Sequence, residues 1–141
     1  MKMKIQLLDY AVGMPMYATD GSSGLDLQAA IIIERAVFPE EIAVVPTGIQ
    51  LSYLDDGYEL QIRPRSGLSA KGMAAKFGTI DNDYRGEIKV IIQNTGCIPY
   101  TIKRGDRIAQ IVPMKVERAT VEIGPPVPTS RGEGGFGSTG A

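Results

Sequence analysis

The apolar residues of this chain occur in short runs rich in β-branched side chains, which glycine, proline or aspartate interrupts at close intervals. Runs of this kind are typical of strands, and few stretches have the period of a helix. The runs are Ala29 to Ile33, Ile42 to Val45, Gly48 to Leu51, Tyr58 to Ile62, Ile88 to Ile92 and Arg107 to Val116. They predict an all-β, jelly-roll-like barrel or sandwich, with one short helical turn after Ser66.

The composition changes at Gly124, and this change divides the 141 residues into a domain and an arm. Residues 1–123 contain the strand-like runs, whereas Gly124 to Pro128 (GPPVP) is a stiff, extended spacer. The glycine-rich segment from Thr129 to Ala141 has one large apolar side chain, Phe136, and cannot bury a core of its own. We predict a β domain over residues 1–123 and a flexible C-terminal arm over residues 124–141. A disordered terminus without a function is the alternative.

The absence of histidine and the near-neutral charge exclude several classes of function. Without histidine, acid–base chemistry falls to Asp, Glu, Tyr, Lys or water. The single cysteine, Cys97, allows neither an internal disulfide nor a thiolate metal cluster. A net charge of -1 gives no basic excess for nucleic acid or membranes, and no apolar run approaches the roughly 20 residues that span a bilayer. We expect a cytoplasmic or otherwise intracellular protein with no nucleic-acid and no membrane partner.

Three short motifs resemble known sites but lack the context that those sites need. The run Gly132 to Gly137 fits a dinucleotide-binding pattern, yet a proline spacer precedes it where a strand is required. Asp81-Asn82-Asp83 opens like a calcium loop, but Arg85 and Ile92 occupy two ligand positions. Arg104-Gly105-Asp106 matches a cell-adhesion tripeptide and is better explained as a turn between strands.

Four polar clusters could carry chemistry, although each also has a purely structural explanation. The turn Arg63 to Leu68 offers a guanidinium, a hydroxyl and a glycine amide to an anion, or it is a solvated turn. The segment Gly78 to Glu87 is either a polar hairpin or a hairpin that aims one carboxylate into a cleft as the base for a water. Gln110 is a polar residue within a predicted strand. Asp26 lies between two leucines, so alternation points it to solvent or to a subunit contact.

In their order along the chain, these clusters and the arm resemble the five motifs of the homotrimeric dUTP pyrophosphatases (dUTPases). The matching segments are Ala18 to Ala29, Pro64 to Leu68, Gly78 to Glu87, Arg104 to Gln110 and Arg131 to Gly140. The resemblance covers roughly residues 4 to 140 and implies the dUTPase fold, a jelly-roll-like β-barrel. It also implies an enzyme that hydrolyses dUTP to dUMP and pyrophosphate with Mg2+. Such an enzyme limits uracil incorporation into DNA and supplies dUMP for thymidylate synthesis.

The resemblance assigns roles to individual residues of the domain. Asp81 matches the aspartate that activates the water attacking the α-phosphate. Tyr84 matches a tyrosine that packs on the deoxyribose, and the hairpin from Thr79 and Ile80 to Lys89 is expected to read uracil. Asp26 matches an acidic residue close to the metal and to the neighbouring subunit, without being a direct metal ligand. The residues that match phosphate ligands are Arg65, Ser66, Gly67 and Gln110.

The resemblance makes the arm part of the site. Phe136 matches an aromatic side chain that stacks over uracil, and Arg131 resembles an arginine finger for the γ-phosphate. Gly137, Ser138 and Thr139 add hydrogen-bond donors. In the family each site uses three chains, which give the hairpin, the phosphate loops and the arm. The expectation is a homotrimer with three shared active sites, in which the arm closes as a lid.

The chain departs from the family pattern between Leu68 and Thr79. This stretch reads SAKGMAAKFG and lacks the Asn that many members carry before Gly-x-Ile-Asp. No side-chain contact to the nucleotide is therefore assigned there. Two other functions stay open: a binding module that holds dUTP or a protein partner without turnover, and the related dCTP deaminase. The acidic pattern expected of a deaminase near the Arg-Ser turn is not seen.

Overall fold

The protein, described over residues 1–140 by a computed structural model, is an all-β chain with one helical turn. Ala141, the last residue of the predicted arm, lies outside the described residues. The strands are β1 (Met3–Leu7), β2 (Met16–Tyr17), β3 (Leu25–Gln28), β4 (Arg35–Val37), β5 (Ile42–Leu54), β6 (Tyr58–Arg63), β7 (Met73–Ala75), β8 (Gly78–Ile80), β9 (Glu87–Asn94), β10 (Tyr100–Ile102) and β11 (Arg107–Lys115). The turn α1 spans Ser66–Ser69, where the sequence predicts it.

The strands form three sheets whose pairs are antiparallel. One sheet has the order β1-β5-β9-β7, the second has the order β2-β3-β11-β6-β8, and β10 pairs with β4. The prediction of an all-β, jelly-roll-like fold is confirmed. Within residues 1–140 the sheets stay separate and do not close into one continuous barrel.

The core consists of alternate side chains from the sheets, which is why the strand-like runs are apolar at every second position. On β9 the side chains of Ile88, Val90 and Ile92 are fully buried, while the residues between them are more exposed. Leu60 and Ile62 on β6 and Ile111 on β11 join the same cluster. No helix in the described part of the chain is long and apolar enough to cross a membrane.

The predicted strand from Ala29 to Ile33 is wrong. The N–H of Ala29 donates to the carbonyl of Asp106, in the turn before β11, and that of Ala30 donates to the carbonyl of Pro46 within β5, but the segment forms no strand ladder. Ile32 and Ile33 are 84% and 81% exposed, although their type suggested a core.

The predicted break at Pro46 is also wrong, because β5 runs through it as one strand of 13 residues. The β5–β9 register shifts between Pro46 and Ile49, and proline is tolerated at such a bulge because the ladder needs no N–H there. Gly48 lies in the bulge at a φ of 69°. An added Cβ would lie 2.6 Å from the Ala11 Cα, so the N-terminal segment crosses the bulge at backbone contact.

We therefore expect Gly48→Ala to destabilise the protein by about 1–3 kcal/mol, through backbone strain and overpacking together. Urea unfolding at fixed protomer concentration measures the change. Gly13→Ala is the matched control, since a Cβ at Gly13 would meet nothing within 4 Å. Equal stability of the two variants would contradict this account of the bulge.

Candidate active site

Arg65 stands at the centre of a small pocket between β3, β11 and the start of α1. The pocket has a volume of about 220 Å³ and is lined by Ala18, Ser22, Gly24, Asp26, Arg65, Ser66, Gly67 and Gln110. We call it the Arg65 pocket. The four residues that the family resemblance assigns to phosphate binding thus line one cavity. They are Arg65, Ser66 and Gly67 from the Pro64–Leu68 turn and Gln110 from β11.

The Asp26 carboxylate orients two guanidinium groups beside this pocket. Asp26 Oδ1 lies 2.9 Å from Arg65 Nε, and Oδ2 lies 3.4 Å from Arg107 Nη1. The Asp26 side chain is only 15% exposed, on the face of β3 opposite Leu25 and Leu27. Both carboxylate oxygens therefore face positive charge, and the pair holds the Arg65 fork at the pocket wall.

Gln110 lines the pocket from β11 because Gly24 leaves room for its side chain. A Cβ at Gly24 would lie 2.8 Å from Gln110 Oε1 and 3.0 Å from a Val112 methyl. Gln110 Nε2 donates to the Pro64 carbonyl at 3.3 Å, which ties the strand to the turn that carries Arg65. The pocket thus depends on a glycine in β2–β3 as well as on its polar groups.

Asp81 occupies a second region, in the chain reversal between β8 and β9. Within residues 1–140 these two strands do not pair with each other, because β8 pairs with β6 and β9 pairs with β5 and β7, so the prediction of a strand-paired hairpin is wrong. We keep the name hairpin only for this reversal, residues 78–89.

Thr79 and Ile80 belong to β8, and Asp81 follows immediately with an exposed side chain. Among residues 1–140 no hydrogen bond or ion pair engages its carboxylate, whereas its carbonyl accepts from the Tyr84 N–H at 3.1 Å. The cavity beside Asp81 has a volume of about 620 Å³, and we call it the Asp81 pocket. The charged residues in its lining are four carboxylates, Asp56, Glu59, Asp81 and Asp83, and one guanidinium, Arg118.

The Tyr84 ring folds back over the hairpin because Gly86 has no side chain. A Cβ at Gly86 would lie 2.3 Å from the Tyr84 hydroxyl oxygen. That hydroxyl donates to the Glu87 carbonyl at 3.0 Å, while the ring remains 42% exposed. One edge of the ring is thus fixed and the other is free to contact a ligand.

Glu87 anchors the base of the hairpin to the body of the protein. Its Oε1 accepts the Gly48 N–H at 2.9 Å, and its Oε2 lies 3.8 Å from Lys89 Nζ. Partial desolvation raises the pKa of the Tyr10 hydroxyl, and contact with the Glu87 carboxylate raises it further. Lys89, which the sequence assigns to uracil binding, is exposed on β9.

The Arg65 pocket and the Asp81 pocket lie at opposite ends of β6. In the register of this sheet Ile80 pairs with Leu60, and Gln110 pairs with Arg63. Arg65 follows Leu60 by five residues, which corresponds to about 16 Å of extended chain. No residue lines both pockets.

The arm lies apart from both pockets. Arg131, Phe136, Gly137, Ser138 and Thr139 line neither of them, and the Phe136 side chain is fully exposed at 114%. The contacts of the arm are local: Arg131 Nε donates to the Gly134 carbonyl at 2.8 Å. One copy of the chain therefore holds three separate sets of the predicted site residues.

Sequence reasoning missed four residues that shape these sets: Asn82, Gly86, Glu87 and Arg107. Asn82 and Gly86 lie within a motif that the sequence singles out, so their proximity to Asp81 and Tyr84 was visible. The partners of Asn82 were not visible, because they come from β5, β6 and the turn between them, and the sequence did not show that the Tyr84 ring packs on the space left by Gly86. No sequence signal indicated that Arg107 pairs with Asp26.

The profile of the dUTPase family matches residues 11–140 of the chain. The chain belongs to the dUTPase family. A deoxyuridine 5'-triphosphate nucleotidohydrolase of Anaplasma marginale is 51% identical over 99% of this chain and 99% of its own. The prediction of a dUTPase-family enzyme is confirmed.

Solved structures of phage dUTPases share the fold of the chain. The dUTPase of Staphylococcus bacteriophage 80alpha with dUPNHPP superposes with a TM-score of 0.87, at 25% identity over 99% of both chains. A mutant dUTPase from phage phi11 of S. aureus, described with a structural Mg(II) ion, has a TM-score of 0.82 at 22% identity, over 91% of this chain and 99% of that one.

Proposed function

We propose that this dUTPase hydrolyses dUTP to dUMP and pyrophosphate by attack of a water on the α-phosphorus, with Asp81 as the base. The observation that carries the proposal is the Asp81 carboxylate, which is exposed at a hairpin tip without a hydrogen-bonding or ionic partner in residues 1–140. A base must be free to accept a proton, and the chain has no histidine to do so. In the cell this reaction would limit uracil incorporation into DNA and supply dUMP for thymidylate synthesis.

In the proposed reaction the Asp81 carboxylate takes a proton from the water while the oxygen of that water bonds to the α-phosphorus. The bond from that phosphorus to the bridging oxygen breaks, and pyrophosphate leaves in line. Arg65, Ser66, Gly67 and Gln110 bind the phosphates through a guanidinium, a hydroxyl, a main-chain amide and a side-chain amide. Catalysis then rests on positioning and charge neutralisation, since no group of the protein becomes covalently attached.

Magnesium would enter with the triphosphate. Among residues 1–140 no group of three His, Cys, Asp or Glu side chains is arranged to hold a metal ion. Both carboxylate oxygens of Asp26 face guanidinium groups, so we do not propose Asp26 as a direct metal ligand. It would instead contact a water molecule bound to the hydrated ion. When bound, the ion would shield the negative charge of the phosphates.

We propose that the active site is completed by three copies of the chain, in an intracellular homotrimer. A water-activating group must lie within about 3.5 Å of the reacting atoms, yet Asp81 and Arg65 are separated by most of β6. The Asp81 pocket carries four carboxylates against one guanidinium and would repel a triphosphate unless cations arrive from elsewhere. Arg65 of a second copy and Arg131 of a third would supply that charge.

Apolar residues left in solvent support assembly with other copies. Val44 on β5 pairs with Ile91 on β9, and both side chains face away from the core, 52% and 45% exposed. Val121 and Ile123, before the proline spacer, alternate like strand residues and are 88% and 107% exposed. Surfaces of this kind are typically covered by a partner.

The hairpin would give the selectivity of the site. Uracil would bind main-chain groups between Thr79 and Lys89, so that cytosine fails through mismatched donors and thymine through its methyl group. Tyr84 would pack on the deoxyribose and leave no space for a 2'-hydroxyl. Both kinds of exclusion need a stiff hairpin, and the anchors at Asn82 and Glu87 provide stiffness.

The base is tested by Asp81→Asn, which keeps the shape of the side chain and removes its basicity. We expect dUTP to bind and turnover to fall by about 10²–10⁴-fold. Pyrophosphate release from dUTP, dCTP, dTTP and UTP is measured side by side, and only dUTP should be hydrolysed efficiently. Asp9→Asn, at an exposed acid that lines neither pocket, is the control. Undiminished release by Asp81→Asn would refute the assigned base.

Discrimination of the sugar is tested by Gly86→Ala, which displaces the Tyr84 ring. The ratio of kcat/KM for dUTP to that for UTP should fall by about tenfold or more. Tyr84→Phe keeps the ring against Gly86 and loses only the hydroxyl bond, so it should change the ratio less. An unchanged ratio in Gly86→Ala would contradict the role of the ring.

The arm is tested by ending the chain after Ile123. Over residues 124–140, the described part of the removed segment, the chain pairs with no strand and buries no large side chain, so the protein should fold and assemble as before. Turnover of dUTP should fall at least about tenfold, since base stacking alone contributes ~1–3 kcal/mol. Phe136→Ala in the full chain isolates that contribution. A truncated protein as fast as the full chain would contradict a lid.

A further inference from the structure

Asn82 joins the hairpin that carries Asp81 to the turn between β5 and β6. Its Nδ2 donates to the carbonyls of Leu54 and Asp55 at 3.0 and 2.9 Å, with the Tyr58 carbonyl at 3.4 Å. A side-chain amide has two N–H groups, so the two shorter bonds use both of them. The residue next to Asp81 is thereby attached to a different pair of strands.

The turn that receives Asn82 is itself held from two sides. The Asp55 carboxylate accepts the Lys2 N–H at 2.6 Å and the Tyr53 hydroxyl at 2.9 Å, and these bonds lower the pKa of Asp55 below its usual range. The Val116 N–H, just after β11, donates to the Gly57 carbonyl at 2.8 Å. The anchor for Asn82 is therefore a turn that is itself hydrogen-bonded to the N-terminal segment, to Tyr53 and to the residue that follows β11.

The tip of the hairpin has few other restraints. β8 is an edge strand of three residues, and the remaining bonds of the tip are local. The Tyr84 N–H donates to the Asp81 carbonyl, and Arg85 Nη1 donates to the Asn82 carbonyl at 2.8 Å. On the other side of Asp81, Ile80 pairs with Leu60 of β6, and the Glu87 anchor lies at the far end of the hairpin. After the last pair of β8, Asn82 is therefore the nearest residue that bonds the tip to the body of the protein.

We infer that Asn82 is a positioning residue for the water-activating carboxylate: by fixing the tip to the turn at residues 54–58, it holds the Asp81 carboxylate where it can take a proton from the water that attacks the α-phosphorus. The inference rests on the proposed function. Asn82 acts through Asp81 and need not touch the substrate. Because a displacement of about 1 Å can cost 10²-fold in rate, loss of the amide should impair the chemical step more than nucleotide binding.

The inference is tested with Asn82→Ala, Asp81→Asn and the double variant, in the full-length assembled protein. We expect Asn82→Ala to lower kcat for dUTP by about tenfold or more. The dissociation constant for the non-hydrolysable analogue dUPNHPP should change several-fold less than kcat. In single-turnover measurements, the same substitution should have almost no effect in the Asp81→Asn background, because the group it positions is already inactive.

Two further variants complete the design. Asn82→Ser keeps one hydroxyl donor for the turn, so its kcat should lie between those of the wild type and Asn82→Ala. If Asn82→Ala does not assemble, Asn82→Ser replaces it in the comparison of single and double variants with Asp81→Asn. Gln6→Ala removes an exposed amide on β1 and should leave kcat within about twofold.

The outcomes separate the inference from the proposed function. An unchanged kcat in Asn82→Ala overturns the inference, and so does an equal fold-loss with and without the Asp81 carboxylate, which would indicate a general effect on the fold. If Asp81→Asn alone keeps full turnover, the assigned base is wrong. If Asp81→Asn is inactive while Asn82→Ala and Asn82→Ser are as fast as the wild type, only the positioning role fails.

Discussion

The geometry of one short strand, β6, controls how this protein can function. It carries the Asp81 hairpin beside its first residues through pairing with β8, and it leads into the Arg65 turn at its other end. An extended strand cannot be shortened, so the distance between the two sets of groups is fixed by the fold. In the proposed mechanism the Asp81 carboxylate must reach the water that attacks a triphosphate held by Arg65, and within one copy these two groups lie at opposite ends of β6. For this reason we propose that other copies complete the site.

Each half of the site is arranged before any ligand arrives. Asp26 holds two guanidinium groups at the Arg65 pocket, and the absence of a side chain at Gly24 lets Gln110 line it. Across the molecule, the missing Cβ of Gly86 sets the Tyr84 ring against the hairpin. Preorganised groups of this kind lose little entropy when the ligand binds and need not rearrange during reaction. We therefore propose that the arm, whose contacts in one copy are local, makes the main motion on binding.

The sequence was most informative where its signal is local. The period-2 runs predicted the strands on β6, β9 and β11, and the serine of Arg65-Ser66-Gly67 begins the one helical turn, as predicted. Ordered motifs predicted the family. Ala29 to Ile33 was mistaken for a strand because β-branched residues also occur in loops, and here single amides bond to a turn and to β5 without forming a ladder. The partners of Asn82, Glu87 and Asp26 could not be predicted, since each lies far away in the chain and is brought near only by sheet pairing and the bulge at Gly48.

Subunit complementation is the most direct test of whether different copies supply the two halves of each site. Chains carrying Asp81→Asn and chains carrying Arg65→Ala, each with its own tag, are co-expressed or mixed in denaturant and reassembled, and pyrophosphate release from dUTP is measured. Each variant alone should be nearly inactive. When equal amounts of the two chains assemble at random, about a quarter of all sites would combine an intact Asp81 with an intact Arg65 from a neighbour, so about a quarter of the wild-type rate should return. If verified mixed trimers recover no activity, both groups act from the same chain and the shared site is wrong.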